Sequence, residues 1–337
     1  LQFNVKLVSA TGEVMFSSIE VISCDYEENI IKQKIKFDKK KFNKNDVIYN
    51  SLNKKSFAII IPSYKNEAWA EKNILSALNQ NYDKFKILFT DDCSPDNTFD
   101  VVQKIVSNHK NKDKAILVRN EVRKGALENL YDMIHSCDDD DIVLTLDGDD
   151  WLADEEVLTR LNYYYSNFNI WLTYGQYKNY PDGGTGVSQN IPNNVITNSS
   201  YRRFTWCSSH LRTFYSWLFK EVKKEDLMYE GKFMSMTWDM AMMFPMLEMA
   251  GNRHKFISDI LYVYNLTNPI NDHKVNVKLQ QSLDRLIRSK PKYKQLSCEP
   301  NHVLESRIKK VNIGLMFIAT GKYDKFVQQL VTSADNY

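Results

Sequence analysis

The sequence predicts an α/β fold built on one mostly parallel sheet flanked by helices. Strand-sized apolar runs recur at even spacing: FAIII at 57–61, FKILF at 85–89, AILV at 115–118 and IVLTL at 142–146. Segments of helical period lie between them. Ala70, Ile74, Ala77 and Leu78 share one face, Val102, Ile105 and Val106 a second, and Leu127, Leu130 and Ile134 a third. Strand, helix, strand at this spacing makes right-handed βαβ units. The units share no residue pattern, so they are not an internal repeat. A third observation is that three strand ends carry polar clusters: PSYKNE at 62–67, TDDCSPD at 90–96 and LDGDD at 146–150. Ligands bind such sheets beyond the carboxyl ends of the strands.

Bulk properties fit an ordinary globular protein. The chain has 337 residues, 43% hydrophobic and 26% charged. A net charge of +2 creates no field that argues for nucleic acid, and KKKFNK at 39–44 reads as a solvated loop. No apolar run is long enough to span a membrane. The five cysteines are odd in number and widely spaced, against both a disulfide framework and a zinc site. A reducing compartment, cytoplasmic or similar, is the expectation, with the chain soluble or peripherally associated. The chain begins at Leu1 with no methionine or signal-like segment, as a piece of a longer protein would.

Three regions are expected. Residues 1–55 form an N-terminal extension with short strands, read from the alternation in FNVKLV and IIKQKIKF. Residues 56–270 form the main domain, with a ligand-binding half at 56–155 and a second half at 156–270. Residues 271–337 form a helical segment packing on it. Ser94 followed by Pro95 predicts an N-cap and first helical position. Residues 209–219 (SHLRTFYSWLF) read as a helix, 258–265 (SDILYVYN) as a strand, and 182–200 as surface loops. A helix follows Thr237, which Pro245 should kink or interrupt and Gly251 should end.

The turn LTLDGDDWL, 144–152, holds the densest chemistry. In extended geometry Asp147 and Asp149 point to the same side, and Gly148 permits close backbone approach. Two or three carboxylate ligands on an open site suit Mg²⁺ or Mn²⁺, with phosphate and water completing the shell. A solvated turn is the competing reading of this motif by itself.

Taken in order, IIIPSYKNE, ALNQNYDKFKILFTDDCSPDNT, NEVRKGALEN and LTLDGDDWL resemble the nucleotide-sugar glycosyltransferases of family 2, with the GT-A fold. The resemblance spans about 57–155 closely and 205–265 more loosely. It implies that Pro62, Tyr64 and Glu67 meet the uracil and ribose, and that Asp92 accepts from the uracil N3–H. It further implies that Arg123 and Lys124 approach the nucleotide, and that Asp147 lies by the ribose or metal. Asp149 is the implied metal ligand, with Asp150 less clearly assigned. TWDMAMMFPMLEMAG, 237–251, resembles the family's helix bearing the catalytic base, which falls on Asp239. Trp238 stands where the family has an acid, and Glu248 is the fallback base. Arg212, in SSHLRTF, is a candidate diphosphate contact, and His273, near Asn271 and Asp272, a candidate metal ligand. Trp206, Trp217 and Trp238 are candidates for an acceptor-site lining or for core packing.

The expectation is a metal-dependent inverting transferase using Mn²⁺ or Mg²⁺. It would move a sugar from a UDP-linked donor to a hydroxyl of a glycan, protein or lipid-linked acceptor. A catalytically weak sugar-binding or interaction module is one alternative; intact Asp147, Asp149 and Asp239 speak against it. A nucleotidyltransferase is another, and its Gly-rich opening loop is absent. A dinucleotide-binding dehydrogenase needs glycines that PSYKNE lacks. An aspartyl-phosphate phosphotransferase would carry its Asp-x-Asp after the first strand.

Overall fold

The computed structural model describes residues 54–269 and 276–304. The expected extension at 1–55 lies almost wholly outside them, as do His273, Asn271 and Asp272. Each of the four apolar runs forms a strand: β1 (Phe57–Ser63), β2 (Phe85–Asp91), β3 (Ala115–Arg119) and β4 (Ile142–Thr145). They pair in parallel in the order β3-β2-β1-β4. Every residue of β1 and β4 is buried, as expected for parallel strands covered on both faces. Helices α1 (Glu67–Leu78), α2 (Thr98–Ser107) and α3 (Ala126–His135) are the crossovers.

Beyond β4 the sheet becomes mixed. β5 (Trp151–Leu152), α4 (Val157–Asn167), β6 (Leu172–Tyr180), α5 (Asn193–Thr197), β7 (Thr213–Tyr215) and α6 (Ser216–Lys220) follow. A small hairpin, β8 (Met228–Tyr229) and β9 (Lys232–Phe233), precedes α7 (Trp238–Ala250), β10 (His254–Asn265) and α8 (Val277–Ser289). The eight-stranded order is β3-β2-β1-β4-β7-β6-β10-β5. β7 is antiparallel to both neighbours, β6 and β10 are parallel, and β5 is antiparallel to β10.

Four local expectations need correction. Residues 209–219 are not one helix: Thr213–Tyr215 inserts between β4 and β6, because sheet pairing outweighs helical period in this buried stretch. Ser94 is not an N-cap, since α2 starts at Thr98. The Ser94 N–H donates to Asp91 Oδ2 at 3.0 Å, and its Oγ accepts from Lys65 N at 3.0 Å, tying two loops together. Pro245 does not interrupt α7, whose residues are buried all round except at Asp239; packing on every side outweighs the missing hydrogen bond. The loop region 182–200 contains the short helix α5. Gly251 does end α7, with φ of 57°.

Glu248, near the end of α7, is not available as a base. Its oxygens accept from Arg202 Nε at 2.7 Å and Nη2 at 2.9 Å, and from Tyr293 N at 3.0 Å. Arg202 also donates to Ile287 O of α8 at 2.6 Å. The two side chains are 4% and 0% exposed, so truncating one strands a buried charge. Glu248→Ala is expected to cost about 3–5 kcal/mol, read as a lower urea midpoint with an unchanged slope.

Candidate active site

A cavity of about 480 Å³ opens where the strand ends meet. Its wall includes Pro62 and Tyr64 after β1, Asp92 after β2, Arg123 and Lys124 before α3, and Asp147 and Asp149 after β4. Ser235, Trp238, Tyr264 and Asn268 close the other side. A second cavity of about 500 Å³ lies where β1, β2, β4 and β6 begin, and none of the candidate residues line it.

Glu67, Arg212 and Asp239 are not on the cavity wall. Glu67 turns to the β2–α2 loop, accepting from Asn97 N and Nδ2, each at 3.0 Å. Trp206 packs edge-on against Phe244, and Trp217 is fully buried against Trp171, so both are core. Trp238 alone of the three tryptophans reaches the cavity.

Asp92 is 3% exposed and works as a clamp. Its Oδ1 accepts from Lys124 N at 2.8 Å and Asn120 Nδ2 at 2.9 Å, and its Oδ2 from Gly125 N at 2.8 Å. Burial pushes its carboxyl upward, but these donors outweigh it and hold the group below the usual carboxylate range. Arg123 Nε lies 3.9 Å from Oδ2, and the Arg123 guanidinium covers the Tyr64 ring at 3.8 Å.

The acid turn is held by neutral donors. Asn73, buried in α1, donates to Asp147 O at 2.8 Å and Asp150 O at 2.7 Å. Asp150 is fully buried, accepting from Tyr262 Oη at 2.6 Å and Asn265 N at 2.7 Å. These bonds lock the turn to β10. Burial, then the charges of Asp149 and Asp147, push its carboxyl well above the usual range. Asp149 Oδ2 accepts from Asn268 Nδ2 at 2.8 Å, and burial raises its carboxyl too. Sequence reading missed Asn73, Tyr262, Asn265 and Asn268. Asn73 had a signal in the sequence: it falls on the apolar face of its helix, three residues after Ala70 and four before Ala77.

These acids fit a divalent cation. Among the described residues, neither Asp149 nor Asp150 forms an ion pair with a lysine or arginine. Two carboxylates facing an open cavity supply the oxygen donors a hard cation takes. Asp147, Asp150 and His210 also gather ligand atoms within 4.8 Å of one another. Asp150 is already satisfied there, leaving Asp147 and Asp149 as the pair open to the cavity. His210 is stacked on Tyr262 at 4.4 Å; burial and the Arg212 charge keep it neutral.

Asp239 occupies the first turn of α7, its Oδ1 accepting from Met240 N at 2.9 Å. Its side chain is 26% exposed, and Arg212 Nη1 lies 3.6 Å from its Oδ2. Burial raises its carboxyl above the usual range, while the Arg212 charge and the Met240 N–H oppose the rise.

An α/β sheet with an acid-rich, ligand-sized cavity at its strand ends defines the class of protein. Residues 58–227, half the chain, match the model of glycosyl transferase family 2, and the chain belongs to that family. It is similar to an uncharacterized glycosyltransferase of Haemophilus influenzae, 27% identical over 126 residues, 37% of this chain. The match spans about half of that relative's length (48%). Solved structures that it resembles include Staphylococcus aureus TarS 1–349 in complex with UDP-GlcNAc, with a TM-score of 0.49 and 17% identity. That match covers 69% of this chain and 65% of the other. The mannosyltransferase PcManGT of Pyrobaculum calidifontis, in complex with GDP-Man and Mn²⁺, gives a TM-score of 0.43 and 18% identity. It covers 62% of this chain and 56% of the other.

Gly148 is where this geometry is least forgiving. A Cβ there would lie 2.5 Å from both Ser63 Oγ and Asn66 Nδ2. Gly148→Ala is expected to cost about 1–3 kcal/mol by overpacking and to displace Asp147 and Asp149. Thermal melting checks the cost, and the melting midpoint should fall.

Proposed function

We propose that the chain is a metal-dependent inverting glycosyltransferase that moves a sugar from a UDP-sugar to a hydroxyl of a glycan, protein or lipid-linked acceptor. The observation that carries this is one cavity lined by the ends of three parallel strands and by Trp238, whose neighbour is Asp239. Tyr64 offers a flat ring for a base. Asp92 Oδ2 accepts one hydrogen bond from the chain and retains capacity for another, which a uracil N3–H would use. Lys124 and Arg123 put positive charge beside the nucleotide.

Asp147 and Asp149 would hold the divalent cation, Mn²⁺ or Mg²⁺, with His273 a further candidate from the sequence. When bound, the ion neutralises the diphosphate and so eases its departure. Asp239 takes the proton of the acceptor hydroxyl as that oxygen attacks the anomeric carbon from the face opposite the diphosphate. A base raised by burial is stronger once ionised, and Trp238 offers an apolar face to the sugar.

The test is donor hydrolysis across a panel of nucleotide-sugars with and without Mn²⁺. UDP-sugars should turn over only with the metal, and Asp149→Ala should abolish this turnover. Turnover of GDP- or CDP-sugars alone would sink the uracil reading. Retention of the donor's anomeric configuration would sink Asp239 as base, and no turnover of any donor would favour a binding module. Asp239→Asn is expected to slow transfer by roughly 10²–10⁴-fold while UDP affinity stays unchanged by calorimetry.

The pH dependence has a definite sign. A carboxyl raised by burial stays protonated to higher pH, and only its ionised form accepts a proton. The acidic limb of the pH–kcat profile should therefore lie above the ordinary carboxylate range. A limb at or below that range would contradict it.

A further inference from the structure

We infer that Arg212 is a positioning residue for Asp239: its guanidinium fixes the carboxylate at the start of α7 and does not meet the donor's phosphates. The inference rests on Asp239 being the base. Four observations support it. The Arg212 side chain is only 2% exposed. Like Asp239, it is not among the residues of the cavity wall, so the two side chains are placed together. Its Nη1 lies 3.6 Å from Asp239 Oδ2, its one carboxylate partner among the described residues. The guanidinium carbon sits 5.1 Å from the centre of the Trp238 ring, so the cation contacts both the Asp239 carboxylate and a side chain of the cavity wall.

A buried guanidinium without a counterion is costly. Here the Nε is buried without a hydrogen-bond partner, so the charge is compensated by the Asp239 carboxylate and the face of the Trp238 ring. The backbone of Arg212 is anchored as well, its carbonyl accepting from Thr145 N at 3.3 Å. Thr145 closes β4, the strand that leads directly to Asp147 and Asp149. One residue thus measures the base against the strand that carries the donor-side acids. Charge has the same consequence. Burial raises the Asp239 carboxyl and Asp284 of α8 adds to the rise, while Arg212 is the cation that opposes both.

The test uses the full chain with Arg212→Gln and Arg212→Lys. The kcat and donor KM of nucleotide-sugar hydrolysis are measured against pH, with the UDP-sugar that the unmodified protein turns over best. In parallel, the Asp239 carboxyl is titrated by carbon-13 NMR, its signal identified by its loss in Asp239→Asn. For Arg212→Gln we expect kcat to fall by about tenfold or more, with donor KM within about threefold. Both the acidic limb and the Asp239 titration should move up by about one pH unit or more. Arg212→Lys keeps a cation in place, so it should lower kcat less and shift the limb less; it supplies the same comparison if the glutamine variant does not fold. A donor KM raised more than about tenfold with kcat unmoved would overturn the inference in favour of a diphosphate contact. An unmoved Asp239 titration in both variants would overturn it too. Full activity of Asp239→Asn would instead remove the base reading, and the carboxyl titration would still decide whether Arg212 acts on Asp239.

Discussion

Two hydrogen bonds from the buried Asn73 amide, to the carbonyls of Asp147 and Asp150, are the constraint on which the candidate site depends. They hold the two ends of the acid turn against α1 and so fix where three carboxylates converge. Tyr262 and Asn265 hold the same turn from β10, and Asn268 steadies Asp149. All of these donors are uncharged. A lysine or arginine in their place would fix the loop equally well but would neutralise the acids. Neutral donors pin the backbone and leave the negative charge available to a cation.

The same division runs through the second strand end, with the opposite outcome. Asp91 and Asp92 are also buried acids, but most of their hydrogen bonds go to the chain itself. Asp91 organises the Ser94 turn beside Arg119, and Asp92 draws in the amides of Lys124 and Gly125. The loop before α3 therefore keeps Arg123 and Lys124 at the cavity because a carboxylate beneath it captures its backbone. The cavity-lining residues at this strand end are held by one another.

Much of this was legible in the sequence, for particular reasons. Three of the four strands and the crossover helices show because strands covered on both faces read as unbroken apolar runs and the helices carry one apolar stripe each; β3, at the sheet edge with Ile116 and Val118 exposed, shows by its β-branched composition alone. Asp147 and Asp149 do line one cavity, but through a turn closed by Asp150 N on Asp147 O at 3.0 Å and not through the period two of an extended strand. What was hidden depends on partners distant in the chain. Nothing near Thr213 announces that it will pair between β4 and β6, so 209–219 read as helix. Glu248 looked like a spare acid until Arg202, far away in sequence, was found against it. Asp150 had no clear assignment because Tyr262 and Asn265 lie more than a hundred residues on.

The guanidinium of Arg123 resting 3.8 Å over the Tyr64 ring has a consequence for how this cavity fills. That face of the tyrosine is already occupied. A planar ligand that settles there exchanges one π-face partner for another and releases a cation toward solvent or toward the ligand's own phosphates. The chain thus carries an internal competitor for its own binding surface, and a flat ring without negative charge gains little by the exchange. A ring joined to phosphates gains twice, since the group it displaces becomes its counterion. With a nucleotide as the proposed ligand, discrimination against a free base would depend partly on where the Arg123 guanidinium moves.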